Sequence, residues 1–221
     1  MTAAGPRAAP SGTLTIIAHV AAGEELVRPI LDAFMDAYPA VSTRLYLLDR
    51  PANLIDEGID VALRIAHLAD STLVAIPIGE VRRVVAASPR YLSQHPAIVE
   101  PADLAHHACL TYAYSATGNA WHFRDADARE HVVRVQGGVH ANNGQMLVAL
   151  AAAGMGVALE PDFIVAPELA SGALVPLLAG YAPAASSIYA VYASRRHLSA
   201  KVRAFVDFLA ARFGPGAPMG V

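Results

Sequence analysis

Cys109 is the only cysteine in 221 residues. A single thiol excludes an intrachain disulfide and a cysteine-based zinc site, and beside Leu110 it reads as a small buried hydrophobe. Charge is scarce as well: 16% of residues are charged and the net charge is −3. A chain that grips nucleic acid by itself is therefore not expected, because phosphate neutralisation needs clustered Lys and Arg. The doublets Arg82-Arg83 and Arg195-Arg196 are too sparse to change that. No apolar run approaches the roughly 18–20 residues of a membrane span. Residues 1–11, rich in Ala, Pro and Gly, lack the apolar core of a signal peptide and read as a flexible linker or a truncated end, as do residues 214–221. His106-His107 cannot both face one metal from a regular element, and no HxH or HxxxH pair exists, so no metal site is expected. Gly154-Met155-Gly156 follows a helix rather than a strand and is not a dinucleotide loop. No cofactor is expected.

What is present is a large apolar fraction, 55% of the chain, enough for one large domain or two small lobes with a real core. Residues 13–18 read as a first strand, 24–38 as a helix with an apolar stripe, and 41–48 as a second strand. Pro29 falls inside that helical pattern and is expected to loosen or kink its first turn. Residues 53–58 read as a short helix with a glycine stop, and 59–65 as a third strand. Such a βαβ repeat predicts a parallel sheet whose ligand edge lies beyond the carboxyl ends of the strands. That edge carries residues 19–23, 49–53 and 64–67. Two extended segments, 73–78 and 82–87, are expected around Gly79, then short helices at 88–92 and 101–104. A strand follows at 109–112, and paired strands at 121–123 and 132–137.

Residues 141–162 read as a polar turn, an apolar helix, a glycine stop and a buried strand. Asn142 or Asn143 caps the helix, with Gln145 three residues after Asn142 as in a capping box. Residues 146–153 contain no polar side chain, so the helix is expected to be sheathed on every side. Its positive end offers donors to a small polar ligand; an ordinary capped core helix is the competing reading. A helix at 163–171, a strand at 173–178 and a final helix at 199–213 complete the chain, the last packing on the first lobe. Residues 84–92 and 189–198 echo each other as a strand ending in Ala-Ser followed by a turn, which suggests two lobes of similar build.

Three groups of segments carry a family resemblance. The first is Gly12 to Leu31, Leu54 to Ile65 and Asp70-Ser71-Thr72-Leu73-Val74-Ala75. The second is Ala86 to Leu92, Trp121 to Arg124, Ala141 to Gly144 and Val157 to Phe163. The third is Tyr189 to Tyr192 with Lys201 to Leu209. In this order, over nearly all of residues 12–213, they resemble the effector-binding domain of LysR-type transcriptional regulators, which is similar to the two-lobed periplasmic binding proteins. The resemblance implies an α/β fold of two Rossmann-like lobes joined by two crossover strands, with a ligand cleft between them. Lobe I would be 12–86 with 188–213, and lobe II 87–187. It also implies a cytoplasmic sensor for a small-molecule effector that acts by population shift in a homo-oligomer. DNA would be reached only through a helix-turn-helix domain, for which residues 1–11 are too short. Either the chain is an excised sensor domain or it is a stand-alone gene product.

Ligand contacts are then expected from His19, Val20, Ala21, Ala22, Asn53, Arg64 and Ile65 in the first lobe. In the second they are Tyr112, Ser115, Asn142, Asn143, Gly144 and Glu160. Where relatives show Pro, Ser and a bulky residue in the first turn, this chain has His19, Ala21 and Ala22, which implies a wider pocket and a different ligand. Arg64 suits a carboxylate ligand, with a salt bridge to a neighbouring helix as the alternative. Glu160 and Asp162 flank Pro161, where solvated or capping roles compete with ligand contact. No catalytic residue is assigned; the competing function is an enzyme in which His19, Ser115, Glu160 and Asp162 converge as acid and base.

Overall fold

The computed structural model describes residues 9–65, 73–193 and 198–213. The chain forms two compact units, Met1–Gly79 with Ser187–Val221, and Glu80–Ser186. His67, the Asp70 to Thr72 piece of the family resemblance, the turn at 194–197 and the side chain of Phe213 lie outside the described residues.

The first unit is built on a five-stranded sheet. Its strands are β1 (Gly12–Ala18), β2 (Val41–Leu47), β3 (Val61–Ile65), β4 (Leu73–Val81) and β13 (Ser186–Ala193), in the order β2-β1-β3-β13-β4. β1 lies parallel to both β2 and β3, and β13 runs antiparallel to β3. The parallel sheet expected from residues 13–65 is therefore present, with a helical crossover between β1 and β2. Leu14 and Ile16 point to one face of β1 and are fully buried, as are Phe34 of α1 (Arg28–Ala37) and Phe205 and Leu209 of α5 (Ala200–Phe213). Phe34 and Phe205 meet edge to face at 4.8 Å, so α5 packs on this unit as expected. Ile17 and Ala62 face the other side with Leu54, Ile59 and Val191. Lys201 Nζ lies 2.6 Å from Asp60 Oδ2, which also accepts from the Thr15 N–H, tying α5 to the sheet.

Several local expectations change. Before α1 the chain winds as a 3₁₀ turn, Val20–Ala22, and a π turn, Gly23–Val27, and α-helix begins only at Arg28. Pro29 explains this: it fits the first turn of an α-helix, where its missing donor has no partner anyway, but not the interior. Residues 54–58 form a hydrogen-bonded turn, not a helix, closed by Gly58 at φ +65. β4 runs through Gly79 without a break. The strand expected at 173–178 is only Val175–Pro176.

The second unit carries β5 (Arg83–Ala87), β6 (Cys109–Tyr112), β9 (His140–Ala141), β10 (Val157–Pro161) and β11 (Val175–Pro176), in the order β11-β5-β10-β6-β9. A smaller sheet joins β7 (Ala120–Arg124), β8 (Glu130–Arg134) and β12 (Ala182–Pro183). Trp121 pairs with Val133 across β7 and β8, and both are buried. A short helix, α2 (Pro89–Leu92), is capped by Ser88. The apolar stretch forms α3 (Gly144–Ala152), with α4 (Asp162–Ser171) after β10. Leu147, Val148 and Ala151 are buried against Ala86, Leu110, Ala158 and Val165. The expectation that α3 is sheathed all round fails, since Met146 is 53% exposed. With one stripe of α3 packed on the sheet, its apolar far side stays in water, which an all-apolar sequence does not forbid. Gly154, at φ +84, ends the helix as expected. Cys109 is buried and its thiol is pushed up to about 12 by burial, so it is inert packing.

Candidate functional site

In the first unit the strand order reverses around β1: β2 lies on one side and β3 on the other. That is the switch point at which α/β sheets hold ligands. Register pairs Ala18 with both Leu47 and Leu63, so the next residues out, His19 and Arg64, leave neighbouring strands side by side.

The His19 ring is held on the other flank by Asp49, with Nδ1 3.6 Å from Oδ1. The same carboxylate oxygen accepts the Val20 N–H at 2.9 Å, so the first donor of the turn after β1 is met by the protein's own anion. Burial lowers the His19 pKa and the nearby Arg64 charge adds to that, while Asp49 opposes it. The ring is thus biased toward its neutral form, an acceptor and a donor rather than a fixed cation.

Arg64 is half-buried, and burial lowers its pKa. Its Nη2 donates to the Ala52 carbonyl at 3.0 Å, and no carboxylate pairs with it among the described residues. A partly desolvated guanidinium with one neutral acceptor has donors to spare for a bidentate anion. The loop that supplies Ala52 is braced by Arg50, which grips Glu57 through both oxygens at 3.0 and 2.7 Å and holds its carboxyl below the usual range. Asn53 is exposed and spends its amide within this loop, donating to Asp56 and accepting from the Ile55 N–H. Val20 is partly exposed. Ala22 and Ile65 line a small apolar hollow with Leu26, Leu63, Ile78 and Ile188. Ala21 is half-buried in the 3₁₀ turn.

In the second unit the structure brings Asn143, Gly144 and Glu160 together. Asn143 caps α3, its Oδ1 accepting the Met146 N–H at 2.8 Å. Glu160, near the end of β10, is only 5% exposed, which rules out a solvated role. Its Oε2 would lie 2.6 Å from a Cβ placed on Gly144, so glycine is what lets the carboxyl sit against the helix start. Burial pushes Glu160 up to about 7, against the pull of Arg83. Arg83 donates to the Leu159 carbonyl at 2.9 Å and is itself shifted down by burial. Tyr112 pairs in register with Ala141, next to exposed Asn142, and its ring meets Tyr114 edge to face. Ser115 lies in the following turn with its Oγ 3.3 Å from Thr117 Oγ1. Among the described residues no hydrogen bond joins Ser115, Glu160 and Asp162, whose Oδ1 takes the Phe163 N–H.

Two contributors were not singled out from sequence. Asp49 follows β2 within the expected edge, and its position at the end of the strand beside β1 was the available signal. Arg83 was counted only as half of a basic doublet; its place among apolar β5 residues was the signal.

The model of the LysR substrate-binding domain matches residues 7–214. The chain belongs to that family. This LysR-type domain is 33% identical to the HTH-type transcriptional regulator DmlR of Escherichia coli K12, over 96% of this chain and 69% of that protein. It is 33% identical to the regulator PtxR of Pseudomonas aeruginosa, over 93% of this chain and 65% of that one. The chain thus spans about two thirds of the length of these relatives. Among solved structures it is similar to the regulatory domain of CrgA from Neisseria meningitidis, with a TM-score of 0.74 and 31% identity over 93% of this chain and 100% of that one. Against the full-length Vibrio cholerae virulence activator AphB the TM-score is 0.75, with 28% identity over 94% of this chain and 70% of that one. The periplasmic-binding-protein-like α/β fold and the effector-binding domain expected from the resemblance are both borne out. No helix among the described residues is long and apolar enough to cross a membrane.

Proposed function

We propose that this domain senses a small carboxylate metabolite for a LysR-type transcriptional regulator, with the β1–β3 edge of the first unit as its anion contact. The observation that carries the reading is Arg64: a half-buried guanidinium beside His19, spending one donor on the Ala52 carbonyl and pairing with no carboxylate among the described residues. His19, Val20, Ala21, Ala22, Asn53, Arg64 and Ile65 form the first unit's contact set. Tyr112, Ser115, Asn142, Asn143, Gly144 and Glu160 form the second unit's. The effector acts by binding two arrangements of a homo-oligomer with different affinity, and DNA is contacted by a helix-turn-helix domain of the full regulator in the cytoplasm.

The test is Arg64→Ala. Losing a bidentate charge-assisted contact is expected to weaken carboxylate binding by about tenfold or more, measured by calorimetry. Unchanged affinity removes Arg64 from the site.

A further inference from the structure

Glu160 is the one fully buried carboxyl among the described residues, and its Oε1 has no hydrogen-bond partner among them. It interrupts an otherwise apolar strand, following Val157, Ala158 and Leu159. A buried polar atom left unpaired is costly, more so when charged, so it calls for a partner from outside the chain. The carboxyl is aimed at the start of α3, a nine-residue helix: Oε2 stands 2.6 Å from where a Gly144 Cβ would be, with Ile164 on the other flank. Asn143 satisfies the Met146 N–H, and the N–H groups of Gly144 and Gln145 have no intrahelical acceptor. Asn142, Gln145 and Met146 above them are exposed.

We propose that Glu160 and the first turn of α3, Asn143 to Gln145, form a subsite for an uncharged hydrogen-bonding group of the effector, a carboxamide or a hydroxyl. This rests on the sensor reading above and adds the chemistry of a second contact. Charge decides the class. A ligand carboxylate beside Glu160 is repelled whenever that carboxyl is ionised, and burial away from water strengthens the repulsion. An ammonium gains that attraction but faces the positive end of α3, worth about half a charge. The buried guanidinium of Arg83, on the neighbouring strand, already acts on Glu160 and disfavours a second cation there. A carboxamide or hydroxyl donates to Oε1 and accepts from a first-turn N–H, with no charge to desolvate.

The experiment follows the Gly144 and Gln145 amide signals by NMR in the full chain while propionamide, propionate and propylamine are added in turn. Propionamide is expected to shift Gly144 saturably and at least about tenfold more tightly than either charged probe. Glu160→Leu, which keeps an apolar side chain in place, is expected to abolish that response. Glu160→Gln, which keeps an acceptor, is expected to hold affinity within about threefold. A charged probe binding Gly144 as tightly as propionamide overturns the proposal. So does a propionamide response that survives Glu160→Leu, or loss of binding in a folded Glu160→Gln protein. If no probe moves Gly144 while propionate saturably shifts the Arg64 side-chain signals, the subsite is wrong and the sensor reading stands. If Arg64 is also unmoved, both fail.

Discussion

Glu160 and His107 are both buried, and their opposite pKa shifts give the domain two opposed pH dependences. Glu160 is raised from an ordinary value of 4.5 to about 7, so the folded state holds its proton more tightly than the unfolded chain does. Its contribution is fully present below about pH 4.5 and is lost as pH rises through 7. Glu160→Gln removes that loss. The variant is expected to gain on the order of 3 kcal/mol over the parent at pH 8, and little at pH 4, read from urea unfolding at the two pH values. Equal stability at both pH values contradicts the burial assigned to Glu160. His107 runs the other way. The Tyr91 hydroxyl accepts the Ala108 N–H at 3.0 Å, so its own proton points to His107 Nδ1 at 3.1 Å. Burial, then the neighbouring His95, lowers the His107 pKa below 6.5, with Asp103 opposing. Stability from the neutral ring is present above 6.5 and falls as pH drops below it. Ring-nitrogen NMR is expected to find the Nε2–H tautomer with a midpoint below 6.5; a midpoint above that value reverses the assignment.

At the scale of elements, the start of α3 rests on its cap, Asn143, and on Gly144 beside the buried Glu160 carboxyl. Gly144→Ala places a Cβ 2.6 Å from the Glu160 carboxyl. Because that carboxyl is buried and cannot swing into water, the expected cost is about 1–3 kcal/mol. Asn143→Ala removes the cap alone and is expected to cost about 1 kcal/mol. Denaturation of both variants checks the order; a neutral Gly144→Ala means the carboxyl moves freely. In the first unit, Phe205→Ala empties a fully buried ring position between α5 and α1 and is expected to cost about 3–5 kcal/mol. The strands and helices that carry these positions were legible from apolar periodicity and caps: β1, β2, α1, β6, α3 and α5 stand within a few residues of where the pattern puts them. What periodicity missed was set by neighbours or by backbone geometry. Residues 54–58 contain helix formers, yet Asn53 bonds its own following N–H groups and closes a turn instead. Met146 is apolar and exposed because the sheet covers only one stripe of α3.

For the whole molecule, the family match and the two α/β units follow from motifs spread over residues 12–213, each weak alone and specific in order. The chemistry at the first unit's edge was legible only in part. His19 and Arg64 were visible as strand-end residues. That Asp49 takes the Val20 N–H depends on register that no local pattern encodes. The enzyme alternative predicts chemistry where the sensor reading predicts reversible occupancy. The most direct test is a thermal-shift screen of small carboxylates on the full chain, repeated with Arg64→Ala, with each bound compound recovered and weighed by mass spectrometry. The sensor reading predicts at least one compound that raises the melting temperature saturably, loses that effect in Arg64→Ala, and returns unchanged. A compound converted by the protein, with the conversion surviving in Arg64→Ala and no carboxylate giving a saturable shift, contradicts it.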